Sequence, residues 1–230
     1  MASTRFPGKP LVDLAGKPMI QWVVEAAHAS AISDSVIIAT PDPEILEAAE
    51  KFGAQAILTR HDHLTGTDRL AELAENHIAD VYINVQGDEP LIDPENIRAI
   101  ARPFQEGSGP SMASLYLPCP PEEIENPAVV KVVTDLDGYA LYFSRHPIPF
   151  ERNARPQSVK KHVGLYAYRR DALRAFASWP PTPLEQAESL EQLRFLEHGI
   201  RIQMVQATGE TIGIDTPDQA ELARQILRNR

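Results

Sequence analysis

One cysteine, Cys119, stands alone among 230 residues, which excludes an internal disulfide framework. Long apolar runs are missing too, and none approaches the roughly 18 residues that a membrane span needs. The start, Met1-Ala2-Ser3-Thr4-Arg5, carries no apolar core of the kind a secretory leader has, so a soluble protein in a reducing cytoplasm is the expectation. Positive charge is scarce. With 22 Lys and Arg against 32 Asp and Glu, the net charge of −10 argues against general nucleic-acid or anionic-membrane binding, and an anionic substrate must meet a local basic pocket. No internal repeat or low-complexity tract is present. What remains is an ordinary globular composition, 43% hydrophobic and 23% charged, with length for one sizeable core and at most a small appended lobe.

The stretch Val81-Tyr82-Ile83-Asn84-Val85-Gln86-Gly87-Asp88-Glu89-Pro90 reads as a buried strand that stops at Gly and Pro and delivers Gln86, Asp88 and Glu89 to its carboxyl end. In an open parallel sheet that end is where ligands bind. Asp88 is a hard oxygen donor of the type Mg²⁺ takes from one or two carboxylates plus phosphate oxygens. Read alone, the same residues are an acidic turn before a helix starting near Asp93-Pro94-Glu95.

Along the chain, Arg5-Phe6-Pro7-Gly8-Lys9 places two cations around a Pro-Gly turn, which reads as a phosphate cradle or as a disordered basic terminus, ahead of a helix over 20–29. Short strands at 36–39 and 56–58 flank a helix at 43–51, which implies a right-handed parallel crossover. Gly66-Thr67-Asp68-Arg69 opens the next helix with hydroxyls, free amides and an Arg together. Further strands fall at 111–117, 129–133 and 139–143, and Asp135-Leu136-Asp137-Gly138 has hairpin chemistry, so part of the sheet is antiparallel. Another strand covers 160–168. A single helix is expected over 183–198, leaving Glu188, Glu191, Gln192 and Arg194 to partner or ligand surfaces, then a strand at 202–205. Ile212-Gly213-Ile214-Asp215-Thr216-Pro217 turns into the last helix, with Asp215 or Thr216 as N-cap.

In this order, Arg5-Phe6-Pro7-Gly8-Lys9-Pro10-Leu11, Gly66-Thr67-Asp68-Arg69, Val85-Gln86-Gly87-Asp88-Glu89-Pro90, Tyr142-Phe143-Ser144-Arg145, His162-Val163-Gly164-Leu165-Tyr166, Leu190-Glu191-Gln192-Leu193-Arg194 and Gly213-Ile214-Asp215-Thr216-Pro217 closely resemble the 3-deoxy-manno-octulosonate (Kdo) cytidylyltransferases, over essentially the whole chain. The resemblance implies an α/β nucleotidyltransferase fold, three-layer and Rossmann-like, with a mixed, mostly parallel sheet. It also implies a single domain over 1–230 with a lobe at about 139–180 for sugar binding and dimerisation, CTP and Kdo as substrates, Mg²⁺ as cofactor and a homodimer. By the same resemblance Lys9, Asp88 and Asp215 are catalytic, with Asp88 and Asp215 as metal ligands. Ser3, Arg5, Lys9, Arg69 and Gln86 fall to the nucleotide, and Arg145, His162, Tyr166, Glu191 and Gln192 to the sugar.

The chain departs from the family at its start. Members begin with an apolar strand ending in Ala-Arg just before the residues matching Ala2-Ser3-Thr4-Arg5, and both are missing here. Loss of a central strand leaves neighbours unpaired, so a start assigned too late is the expectation. The alternatives are an acid-sugar variant such as 8-amino-Kdo as substrate, or an inactive CTP-binding remnant.

Overall fold

A computed structural model describes residue 6 and residues 8–105, 109–153, 159–209 and 212–228. They fall into two compact units, one drawn from 1–63, 85–98 and 209–230, the other from 64–84 and 99–208. Ser3 and Arg5 lie outside the described residues.

The first unit opens with a 3-10 turn, Lys9–Leu11, entered through Gly8 at φ 71, a left-handed conformation open to a residue without a side chain. β1 (Asp13–Leu14) and β2 (Lys17–Pro18) pair antiparallel around Ala15 and Gly16, both at positive φ as a tight hairpin turn of this hand requires. Then come α1 (Met19–Ala29), β3 (Ile37–Thr40), α2 (Pro43–Lys51) and β4 (Gln55–Leu58), with β3 and β4 parallel, as the strand, helix, strand pattern dictates. Ile20, Val24, Ile38, Ile45 and Ala49 bury one apolar face between these elements. A second core joins Leu14, Met19 and Leu91 to Ile214, Ala220, Ala223 and Leu227 of the C-terminal segment.

Next in sequence are α3 (Gly66–Asn76), β5 (Val81–Asn84), α4 (Pro94–Gln105), β6 (Met112–Pro118), β7 (Lys131–Thr134), β8 (Ala140–Ser144) and β9 (Lys160–Arg169). α5 (Arg170–Ser178), α6 (Pro183–Glu188), α7 (Gln192–Glu197), β10 (Ile202–Gln206) and α8 (Pro217–Arg228) complete the chain. The sheet of the second unit runs β10-β6-β9-β7-β8, with β5 also on β9. It is mixed, as expected, but within it, among the described residues, parallel pairing is confined to β10 with β6. β9 is long and central, with β6 along one side and β7 and β5 at its start and end, all antiparallel. The strand at 81–84 is therefore antiparallel to its bonded neighbour among the described residues. The β7–β8 hairpin forms around 135–138 as its turn residues require.

Two further departures concern helices. The helix expected over 183–198 is two, broken at Ser189, which sits at φ 52 in the left-handed region. α5 was not foreseen, although Ala172, Leu173 and Phe176 carry its buried face at helical spacing. Met112, Phe143, Tyr168, Leu173, Phe176 and Phe195 are fully buried at the centre of this unit. Arg194 belongs to that interior and not to a ligand surface: it is buried, donates to Glu185 Oε2 at 2.7 Å and lies 3.9 Å over the Phe176 ring.

Candidate active site

In the first unit, three charged side chains remote in sequence meet at one point. Lys9 Nζ donates to Asp88 Oδ2 at 2.7 Å and to Asp215 Oδ1 at 3.0 Å, across 79 and 206 residues of chain. Each is placed by local chemistry. The Gly8 turn projects Lys9, which is 12% exposed. Gly87 lies where an added Cβ would stand 3.1 Å from Ile20 Cδ1, so glycine lets the turn before Asp88 pack against α1. The Asp88 carbonyl accepts from the Ile214 amide at 2.9 Å, which ties the Asp215 turn to the Asp88 turn. Asp215 does not cap α8: Thr216 Oγ1 accepts from the Gln219 amide, while Gln219 Oε1 takes the amides of Asp215 and Thr216. Its carboxylate is thereby left for Lys9.

Burial works against the charge on Lys9, but its bonds and attraction to Asp88 and then Asp215 outweigh this, and its pKa is raised. Burial first, and the Asp88 charge second, push Glu89 up to about 7. Among the described residues no group of three or more His, Cys, Asp or Glu could hold a metal. Two carboxylates that already share one cation nonetheless suit Mg²⁺, which takes few protein ligands and completes its shell with phosphate and water. Gln86 is half-buried beside this turn, and its carbonyl accepts from the Glu89 amide.

In the second unit, the polar side chains gather on the face of β9 that meets the starts of α3 and α7. His162, Tyr166 and Tyr168 follow one another with ring centroids 5.4 and 6.0 Å apart. Tyr168 and Thr67 share a hydrogen bond of 3.1 Å, and Tyr166 donates to Gln192 Oε1 at 3.4 Å. Thr65 caps α3 by a capping box with Asp68, which fixes the loop carrying Gly66, Thr67 and the half-buried Arg69. Burial raises the pKa of Glu191, opposed by bonds from Thr65 and Thr67. Glu191 Oε2, Gln192 Nε2 and Asn84 Nδ2 are buried without a hydrogen-bond partner among the described residues. Orphaned groups of this kind cost about 1–3 kcal/mol each unless a ligand satisfies them, and both donors and acceptors suit a polyol. A cavity of about 430 Å³ adjoins Glu191, lined also by Thr65, Gly66, Gln186 and Ser189 among others.

Arg145 is engaged within its own unit: its guanidinium donates to the carbonyls of Glu188, Pro127 and Ser189 at 2.8, 3.1 and 3.3 Å. Glu188 replies, accepting from Ser144 Oγ at 2.6 Å and from the Arg145 amide at 2.9 Å. This clamp ties the end of β8 to the break between α6 and α7, and so sets where Glu191 and Gln192 begin. Lys131 sits on β7, between β8 and β9 and not at a sheet edge. It is fully buried and donates to the carbonyls of Val129 at 2.6 Å, Asn126 at 3.0 Å and Arg145. Sequence reading missed Asn84 as a pocket residue, and Glu188, which it left to a partner or ligand surface, instead braces the end of β8. Thr67, read only as part of the Gly66-Thr67-Asp68-Arg69 helix start, bonds Tyr168 within this cluster.

A family model described as cytidylyltransferase matches residues 1–202. The chain is 51% identical to a 3-deoxy-manno-octulosonate cytidylyltransferase of Pelobacter propionicus, over 99% of this chain and 94% of that protein. It is 47% identical to one from Acidobacterium capsulatum, over 100% and 94%. Among solved structures, a CMP:2-keto-3-deoxy-manno-octonic acid synthetase complexed with CTP superposes with a TM-score of 0.95 at 44% identity, covering 99% of this chain and 95% of that one. A thymidylyltransferase structure from Bacillus anthracis, 15% identical with a TM-score of 0.72, shares the fold.

Proposed function

This chain belongs to the 3-deoxy-manno-octulosonate cytidylyltransferase family, and on that premise we infer that it couples CTP and Kdo to CMP-Kdo and pyrophosphate. The anomeric oxygen of Kdo bonds to the α-phosphorus of CTP, the bond from that phosphorus to the pyrophosphate oxygen breaks, and the hydroxyl proton passes to solvent. Such in-line transfer depends chiefly on positioning and on neutralising phosphate charge.

The observation that carries the residue roles is the meeting of Lys9, Asp88 and Asp215 at one ammonium. Asp88 and Asp215 would hold Mg²⁺, which when bound supplies positive charge at the phosphates and favours ionisation of the attacking hydroxyl. Lys9, with Arg5, neutralises the β- and γ-phosphates as point charge and fork. Ser3, Gln86 and Arg69 complete the nucleotide side. His162, Tyr166, Glu191 and Gln192 bind the sugar by hydrogen bonds, and the orphaned atoms of Glu191 and Gln192 support that role. Arg145 joins the sugar side, here holding the turn that presents Glu191 and Gln192.

The product feeds lipopolysaccharide assembly in the cytoplasm. Two copies pair through the β8 edge, where Leu141 is 61% exposed, and the segment after it, where Phe150 is 89% exposed. Among the described residues no helix is long and apolar enough to cross a membrane. Pyrophosphate release from CTP, Mg²⁺ and Kdo, run beside 8-amino-Kdo, tests the reading. Turnover with neither sugar acid would reject it, and faster turnover of the amino sugar would change the substrate.

A further inference from the structure

His162 is bonded in a way that fixes which of its nitrogens can serve a ligand. β6 and β9 are out of simple register here: Ser114 pairs with Tyr166 but Leu115 pairs with Val163, so Gly164 and Leu165 form a bulge opposite the Ser114–Leu115 link. Bulges turn carbonyls and side chains out of the ladder. Fully buried Ser114 sits against this one, its Oγ 3.0 Å from the Leu165 carbonyl, 3.3 Å from the Val163 carbonyl and 2.8 Å from His162 Nε2.

A hydroxyl has one proton, and carbonyls only accept. Were that proton turned to His162, the Ser114 oxygen would present lone pairs to two carbonyl oxygens. Given to a carbonyl, it leaves the Ser114 oxygen to accept from Nε2–H. Nδ1 then carries a lone pair, and among the described residues no partner takes it.

Resting on the sugar-pocket reading given above, we propose that Ser114 is a positioning residue that holds His162 in its Nε2–H tautomer, so that Nδ1 accepts a hydrogen bond from a hydroxyl of the sugar acid. His162 is then neither a cation for the sugar carboxylate nor a proton donor to it. Burial keeps the imidazole neutral, pushing its pKa down to about 3. Phe143 packs T-shaped against it at 5.0 Å and Tyr166 lies beside it at 5.4 Å, so the ring is held on two sides while the tautomer is set on a third.

The test is long-range ¹H–¹⁵N correlation NMR on the protein labelled with ¹⁵N-histidine, with sugar-acid and CTP kinetics on the same variants. The wild type is expected to show His162 protonated at Nε2 only. Ser114→Ala should mix the tautomers and raise the KM for the sugar acid on the order of tenfold, with the KM for CTP unchanged as the control for folding. Ser114→Thr, which restores the hydroxyl, should recover both. His162→Asn, whose amide oxygen can stand near the place of Nδ1, should keep more sugar affinity than His162→Ala. A proton on Nδ1 in the wild type, or a Ser114→Ala spectrum identical to it, overturns the assignment whatever the pocket binds. An altered tautomer with an unmoved sugar KM in both Ser114→Ala and His162→Ala instead removes His162 from the sugar pocket, and the acceptor role falls with it.

Discussion

Replacing Lys9 by Met gives the most direct view of how the first unit handles charge. Its ammonium now stands between two carboxylates, at 2.7 and 3.0 Å, in the place that suits a divalent ion. An ion binding without nucleotide must first displace it. The Asp88 bond joins a 12% exposed lysine to a 35% exposed carboxylate, and such a charged hydrogen bond contributes about 1.5–3 kcal/mol. The Asp215 carboxylate is 61% exposed, so solvent screening reduces its share to under about 1 kcal/mol. A net barrier of about 2 kcal/mol corresponds to roughly a 30-fold weakening of ion affinity in the wild type. Lys9→Met should therefore bind Mn²⁺ alone about 30-fold more tightly by electron paramagnetic resonance titration, while its turnover with CTP falls through the lost phosphate contact. Adding Asp88→Asn should abolish the gain. Equal Mn²⁺ affinity in folded Lys9→Met and wild type would show that the ammonium does not compete for that place. The lysine is charged throughout the working range: its pKa lies above the ordinary 10.5, so its contribution to stability is complete below 10.5 and is lost only as pH rises through the higher folded value.

Asp88→Asn and Asp215→Asn should each lower pyrophosphate release about a hundredfold or more, and near-normal turnover in either would remove it from the metal. Glu191→Ala should raise the KM for Kdo while leaving that for CTP unchanged; an unmoved Kdo response places Glu191 outside the pocket. Lys131→Met strips three carbonyls of their shared donor, at a cost of about 3 kcal/mol, which should lower Tm by roughly 6–12 °C in thermal circular dichroism; a fall under about 2 °C contradicts the bonding described. His162 has a folded pKa of about 3 against an ordinary 6.5, so the unfolded chain takes up the proton first and stability is lost as pH falls below 6.5. Between pH 6.5 and 5 the wild type should lose about 2 kcal/mol relative to His162→Asn in urea unfolding, and equal losses would mean the ring is ionised in the fold.

Local chemistry was legible wherever the chain punctuates itself. Pro43 and Lys51 bound α2 as read, and the 135–138 turn makes its hairpin. The break at Ser189 was not legible, because no glycine or proline lies within 184–196 and the residue at positive φ is a serine instead of a glycine. What holds the break is tertiary. Arg145, some 44 residues earlier, takes the Ser189 carbonyl, and Glu188 turns its carboxylate to β8. The direction of the strand at 81–84 was not legible for a related reason: its residues fit a buried strand of either kind, and the pairing with β9 is antiparallel.

The site divides along the same line. Asp88 and Asp215 each have a sufficient local explanation as turn or cap residues, and nothing near either in sequence reveals the other. The family resemblance paired them before the fold did. The structure adds the reason their carboxylates are available at all: Thr216 and Gln219 complete the cap that Asp215 leaves. In the second unit the case is harder, because His162 and Tyr166 sit mid-strand, where alternation alone explains a polar residue. Their distinguishing feature is a shortage of partners around them, at Glu191 Oε2, Gln192 Nε2 and Asn84 Nδ2. A shortage is a property of the folded neighbourhood and has no residue type of its own. A binding pocket for a polyol is therefore written in which hydrogen bonds the fold leaves unmade, and those can be counted only once β5, α3 and α7 are in place.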